Sequence, residues 1–205
     1  LPPVGAGNFL RDLINSKVAS CIQLTEIFRQ AKNSLIVVNA HRVNHGNFPI
    51  TKLPDAEKDF IWIKEEQPEK IYSHLHSWFT KRLRQYNISP YETMVLVPMN
   101  RGLIGTQKLN HNLQEIINTK DGAHFTYGTT EFKEYDRVMQ IRNNYEKMVF
   151  NGDIGFIQTI DVEEKIITVR YGERNISYKQ TELDELVLSY AITIHKSQGS
   201  EYDAV

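Results

Sequence analysis

Residues 93–99, TMVLVPM, are apolar almost without interruption. A strand that faces water on one side alternates apolar and polar residues, so an unbroken run predicts a strand covered on both faces. Residues 68–87, PEKIYSHLHSWFTKRLRQYN, precede it. Pro68 suits a first helical turn, and Ile71, Leu75, Trp78, Phe79 and Leu83 recur at helical spacing. A second amphipathic pattern follows, with Leu109, Leu113, Ile116 and Ile117 inward. Earlier, Phe9, Leu10, Leu13 and Ile14 predict a short surface helix. Residues 18–24 predict a strand leading through Thr25, as N-cap, into a helix with Ile27, Phe28 and Ala31, and residues 59–66 predict another strand. Residues 34–46 fit strand and helix equally. This alternation predicts an α/β domain around a parallel sheet.

The texture changes near Phe125. From there to Leu186 the chain reads as short strands and tight turns, with Asn151-Gly152 and Gly172-Glu173-Arg174 as links and no good helix. Ile154, Phe156 and Ile160 fall at near-alternate positions of one strand. About five strands in sixty residues is the size of a small barrel. Residues 186–195, LVLSYAITIH, then return to a buried strand. The expected division is 1–124 for the first part of the α/β domain, 125–186 for an inserted β-barrel, and 187–205 for the last part.

Composition narrows the function classes. No run approaches 18 apolar residues, so no membrane-spanning helix is expected. The net charge is −1, so the chain is not a polycation and any nucleic-acid contact must come from local donors. Cys21 is the single cysteine, which rules out an internal disulfide or Cys-rich zinc site. Such cysteine usage favours a reducing, cytoplasmic home, and no signal-peptide pattern is visible. His74 and His76, two residues apart, do not share one side of a helix as a metal pair would. Glu163-Glu164, the nearest approach to the clustered carboxylates of a nuclease, reads as a solvated loop tip.

Four stretches gather small and polar residues at the end of an element: LPPVGAGN (1–8), LTEIFRQA (24–31), VPMNRGLIGTQKLN (97–110) and TIHKSQGSEY (193–202). Taken singly, each is an ordinary polar turn or a solvated helix arginine. In this order they resemble the motor core of superfamily 1 DNA helicases of the RecD/TraA-like branch. LPPVGAGNFLRDLI is similar to that family's motif III, which touches single-stranded DNA. LTEIFRQ resembles motif IV, which implies that Arg29 reaches the γ-phosphate of ATP. VLVPMNRGLIGTQKLN resembles the neighbouring strand and helix, with Arg101 and Asn110 in place. DRVMQIRNNYEKMVFNGDIG resembles the run entering an inserted SH3-like barrel, and AITIHKSQGSEYDAV resembles motif V. The resemblance assigns Pro3, Val4, Asn8, Arg101, Thr193, His195 and Ser197 to DNA. It assigns Arg29, Gly199, Ser200 and Glu201 to the nucleotide, with Arg29 catalytic. Hydroxyl and imidazole groups suit the phosphate backbone without reading bases, glycine allows close approach, and a carboxylate accepts from ribose hydroxyls.

A Gly-x-x-x-x-Gly-Lys-Ser/Thr loop is absent, as is the Asp-Glu pair that would hold magnesium. The glutamine of motif III and the final arginine motif are not in the sequence either. The resemblance is therefore to a second RecA-like motor domain, and the expectation is a fragment inactive alone. ATP and Mg2+ would be bound mainly by the N-terminal motor domain of the same chain. The implied protein is an ATP-dependent, 5′→3′ helicase of recombination and repair, similar to the exodeoxyribonuclease V alpha subunit, standing alone or joined to other recombination subunits. Two alternatives stay open: the helicase half of a conjugative relaxase, and a nucleic-acid-binding module without motor function.

Overall fold

The structure, a computed structural model, describes residues 7–23, 34–51 and 59–205. The chain divides into two compact units, residues 1–64 and 65–205.

In the first unit, α1 (Phe9–Ser16) forms as expected, and Lys17 ends it in the left-handed region. None of its side chains is buried within the unit. The 34–46 stretch resolves as helix α2 (Leu35–Asn44). Ser34 decides it: its hydroxyl accepts from the Val37 N–H at 3.4 Å, and the Asp59 carboxylate accepts from the Leu35 N–H at 3.0 Å. Capping by two acceptors favours a helix start over a strand. Two strand expectations fail here. Residues 18–23 form no ladder, with Val18 and Ile22 exposed, and residues 59–66 pair with no described strand. An apolar run becomes a strand only where a partner edge accepts its backbone groups, and none of the described residues supplies one. The helix expected from Thr25 lies outside the described residues.

In the second unit, α3 (Pro68–Ser77) runs through a π-helical turn (Trp78–Arg82) into the short α4 (Leu83–Gln85). The buried face is the expected one, with Phe79 and Leu83 deepest. The apolar run at 93–99 yields only a three-residue strand, β1 (Val95–Val97). A tight loop then feeds α5 (Thr106–Ile117), whose Leu109, Leu113 and Ile117 are buried.

Seven strands follow that do not share β1's sheet. β2 (His124–Tyr127) and β3 (Thr130–Lys133) form a hairpin. β4 (Arg137–Gln140), β5 (Ile154–Asp161), β6 (Ile166–Tyr171), β7 (Arg174–Lys179) and β8 (Leu186–Leu188) form an antiparallel sheet in the order β7-β6-β5-β4-β8. β7 and β8 are its edges, and no ladder among the described residues joins them, so the strands expected as a small barrel form a five-stranded sheet that hydrogen bonds do not close. A bulge between Ile157 and Thr159 shifts the phase of β5. Gly155, Ile157 and Ile160 are therefore its buried positions, while Ile154 and Phe156 are half-buried. A 3-10 helix (Gln180–Glu185) connects β7 to β8, where no helix was expected.

The clearest departure is at 186–195. The run read as one strand is two. β8 closes the antiparallel sheet, and β9 (Ala191–Thr193) pairs in parallel with β1, Val95 opposite Ala191 and Val97 opposite Thr193. Ser189 and Tyr190, both fully buried, pass between the two sheets. On the other edge of β1 the Met94 N–H donates to Ala204 O at 2.9 Å, a parallel bridge that brings the chain back after the 194–203 loop.

Candidate functional site

Two loops leave the carboxyl ends of the parallel pair: residues 98–105 after β1 and 194–200 after β9. Open α/β sheets bind their ligands at that edge.

The first loop is held tightly. Thr106 N–H donates to Met99 O at 3.2 Å, Gly105 N–H to Gly102 O at 3.1 Å, and the Thr106 hydroxyl to Asn100 Oδ1 at 3.1 Å. A Cβ on Gly105 would lie 2.6 Å from the Arg101 carbonyl group, so only glycine lets the loop close this far before α5 begins. Arg101 is exposed at its tip.

The second loop is a run of turns. Ser197 N–H donates to Thr193 O at 3.1 Å, Gln198 N–H to His195 O at 3.3 Å, and Ser200 N–H to Ser197 O at 3.0 Å. Gly199 has φ of 80°, a left-handed value that glycine takes at no steric cost. The hydroxyls differ in availability. Thr193 Oγ1 accepts from the Lys196 N–H at 3.3 Å and among the described residues donates to none, leaving its proton for an anionic oxygen, whereas Ser197 spends its proton on Ile194 O at 2.8 Å. Thr193 is half-buried at the end of β9; His195, Gly199, Ser200 and Glu201 are exposed. Lys196 Nζ donates to Asn151 Oδ1, bracing the loop on the β4–β5 turn.

At the amino-terminal end of the pair lies a buried polar hub. Arg137 of β4 donates from Nη1 to Tyr91 O (2.8 Å), from Nη2 to Thr93 O (2.8 Å) and Tyr190 O (3.3 Å), and from Nε to Ser189 O (3.1 Å). One guanidinium thus ties the entry to β1 to the β8–β9 connection. Burial holds its pKa below the usual arginine value. Asp136 accepts from Gln114 Nε2 (2.5 Å), Asn118 Nδ2 (2.7 Å), Lys133 N–H (2.7 Å) and the Tyr190 hydroxyl (2.8 Å). Burial pushes its carboxyl above the ordinary value, outweighing those four bonds. Burial and the neighbouring Asp136 push the Tyr190 phenol up. Asn110 exchanges two 2.8 Å bonds with the backbone of Ala191, clamping α5 to β9.

Residues 109–171, which begin in α5 and run through β6, match the family described as ATP-dependent RecD-like DNA helicase SH3 domain. That segment is thus similar to a RecD-like helicase SH3 domain. The whole chain is 31% identical to the ATP-dependent RecD2 DNA helicase of Deinococcus radiodurans, over 27% of that protein's length. It is also 38% identical to an uncharacterized protein of Methanocaldococcus jannaschii, all of the chain against 23% of that protein. The chain thus spans about a quarter of the length of the curated relatives it matches. In fold it resembles a Pif1 helicase from Bacteroides crystallised with ADP-AlF3 and single-stranded DNA, with a TM-score of 0.52 at 17% identity, over 89% of this chain and 44% of the other. The resemblance to RecD-like DNA helicases holds.

Thr193, His195, Ser197, Gly199, Ser200 and Glu201 lie on one loop, and Arg101 stands on the loop leaving the same sheet edge. Asn8 is exposed at the N-cap of α1, in the other unit. Pro3, Val4 and Arg29 lie outside the described residues. Among the described residues no group of three or more His, Cys, Asp or Glu side chains could hold a metal ion. Sequence reasoning missed Lys196, Asp136, Arg137 and Tyr190. A signal existed for Arg137, a charge inside the strand pattern of residues 125–186.

Proposed function

We propose that this chain is the second motor domain of an ATP-dependent, 5′→3′ DNA helicase acting in recombination and repair, with residues 125–186 as its inserted module and 1–124 with 187–205 as the RecA-like body. It binds single-stranded DNA through Thr193, His195, Arg101 and the motif III-like residues. Gly199, Ser200, Glu201 and Arg29 complete an ATP site whose phosphate loop and Mg2+ ligands belong to a first motor domain. The observation that carries this reading is the parallel pair β1–β9, which sends the Arg101 loop and the Thr193–Glu201 loop out of one edge. The free Thr193 proton and the exposed His195 ring are donors for phosphate oxygens; neither reads a base.

The test is the anisotropy of a labelled oligothymidylate titrated with the chain at several salt concentrations. Binding should be weak and salt-sensitive, because few phosphates are neutralised. Thr193→Ala with His195→Ala should weaken it roughly tenfold, the scale of losing one or two bonds to a charged group. Affinity unchanged by the double substitution, or strongly dependent on base sequence, would favour a binding module that uses other residues.

A further inference from the structure

A cleft of about 210 Å³ opens at the other end of β1. Tyr91 precedes β1 by four residues, and Lys120 follows α5, whose twelve residues carry the chain about 18 Å back from the 98–105 loop. Tyr91, Lys120, Tyr135, Phe156, Gln158 and Arg170 line it. Two cations therefore face one small space. The Lys120 ammonium sits 4.4 Å from the Tyr135 ring centre and 5.7 Å from that of Tyr91. Arg170 stands opposite Phe156 in the β5–β6 register, which puts both side chains on one face of the sheet. Among the described residues neither Lys120 nor Arg170 makes an ion pair.

The cleft is also prearranged. Tyr135 has φ of 71°, a left-handed value rare for a bulky side chain, and its N–H donates to Ile157 O at 2.9 Å. Such a conformation persists where surrounding bonds impose it, and here it leaves the ring 38% exposed. The loop bearing Lys120 is pinned on both sides: Asn118 Nδ2 donates to Glu134 O at 2.8 Å, and Glu134 N–H donates to Ala123 O at 3.0 Å.

We infer that this cleft binds a nucleotide unit, its base against the aromatic rings and its phosphate between Lys120 and Arg170. Three rings beside two unpaired cations complement an aromatic anion, since bases of every sequence have a face to stack and phosphate supplies the charge. An acidic peptide would use the cations and leave the rings idle. The space suits one ring system rather than a whole cofactor, whose pockets run from about 300 Å³ upward. The inference goes beyond the helicase reading, because the cleft lies at the sheet end opposite the Thr193 loop.

The test is a titration of the chain followed by NMR, with dAMP, inorganic phosphate, an oligothymidylate of about ten nucleotides and oligoglutamate as probes. Gln158 side-chain amide shifts report the cleft and Thr193 amide shifts report the β9 loop, so the two sites are read separately. dAMP should shift Gln158, and Lys120→Ala, Arg170→Ala and Tyr135→Ala should each weaken that binding roughly fivefold or more. Tyr135→Phe, which keeps the ring, should retain it. Tighter binding of the oligonucleotide identifies a strand as the source, and equal or tighter binding of dAMP identifies a free nucleotide. Inorganic phosphate or oligoglutamate binding as well as dAMP, or no shift at millimolar dAMP, would overturn the inference.

Discussion

Asp136 and Arg137 are consecutive and buried, yet they serve different partners: the carboxylate collects four donors and the guanidinium four carbonyls. Replacing Asp136 with Asn turns one oxygen into an amide that faces two donors, whichever way it is placed. We expect a loss of about 1–3 kcal/mol, the cost of buried groups left unpaired. The pH dependence has a definite sign. Burial raises the folded pKa above the ordinary 3.8, so this carboxyl's contribution is complete below that value and is lost as pH rises through the folded pKa. The gap in urea-unfolding free energy between wild type and Asp136→Asn should be widest in acid and narrow as pH rises. A gap that widens with pH would contradict the burial argument.

α5 shows how much of an element a sequence discloses. Its apolar face was legible, because Leu109, Leu113 and Ile117 obey the 3.6-residue period. Its second stripe, Asn110, Gln114 and Asn118, recurs every four residues and is equally buried. The spacing is visible in the chain; what the amides bond to is not, since Ala191 and Asp136 are distant in sequence. The strands taught the same lesson. The apolar character of 186–193 was legible, but the split into β8 and β9 depends on which edges the rest of the fold presents. In β5 the added residue of the bulge shifts which alternate positions are buried. Of the candidate site, the grouping of Thr193 through Glu201 followed from their nearness in the chain, whereas the Lys196 brace on Asn151 required the folded sheet. Asn110→Leu keeps the size and removes both bonds to Ala191. We expect a loss of about 2–4 kcal/mol, with faster amide hydrogen exchange at Ala191 than in the wild type. Unchanged exchange there would show that Asn110 does not hold β9.

At the scale of the whole molecule, the chain covers 27% of the Deinococcus radiodurans helicase, and the motor reading concerns the longer protein. Arg29 is its sharpest probe. An arginine that neutralises a transferring phosphoryl group acts on rate more than on affinity, and such residues contribute roughly 10³–10⁵ in related enzymes. In the full-length protein, Arg29→Ala should cut ATP turnover and unwinding by orders of magnitude while DNA binding stays within a few-fold. Arg29→Lys should rescue poorly, because an ammonium lacks the forked donors. Near-normal ATPase in a folded Arg29→Ala protein would remove the motif IV assignment.

The connection through Ser189 and Tyr190 has a mechanical consequence. From Leu188 to Ala191 the backbone has three residue steps, about 10 Å at full extension. Both ends are locked in ladders and the middle is gripped by Arg137. A push delivered to Thr193 by whatever binds beyond β9 travels along covalent bonds into β8 and, through the guanidinium, into β4. Any rotation of one sheet against the other must therefore strain this link or break its bonds to Arg137.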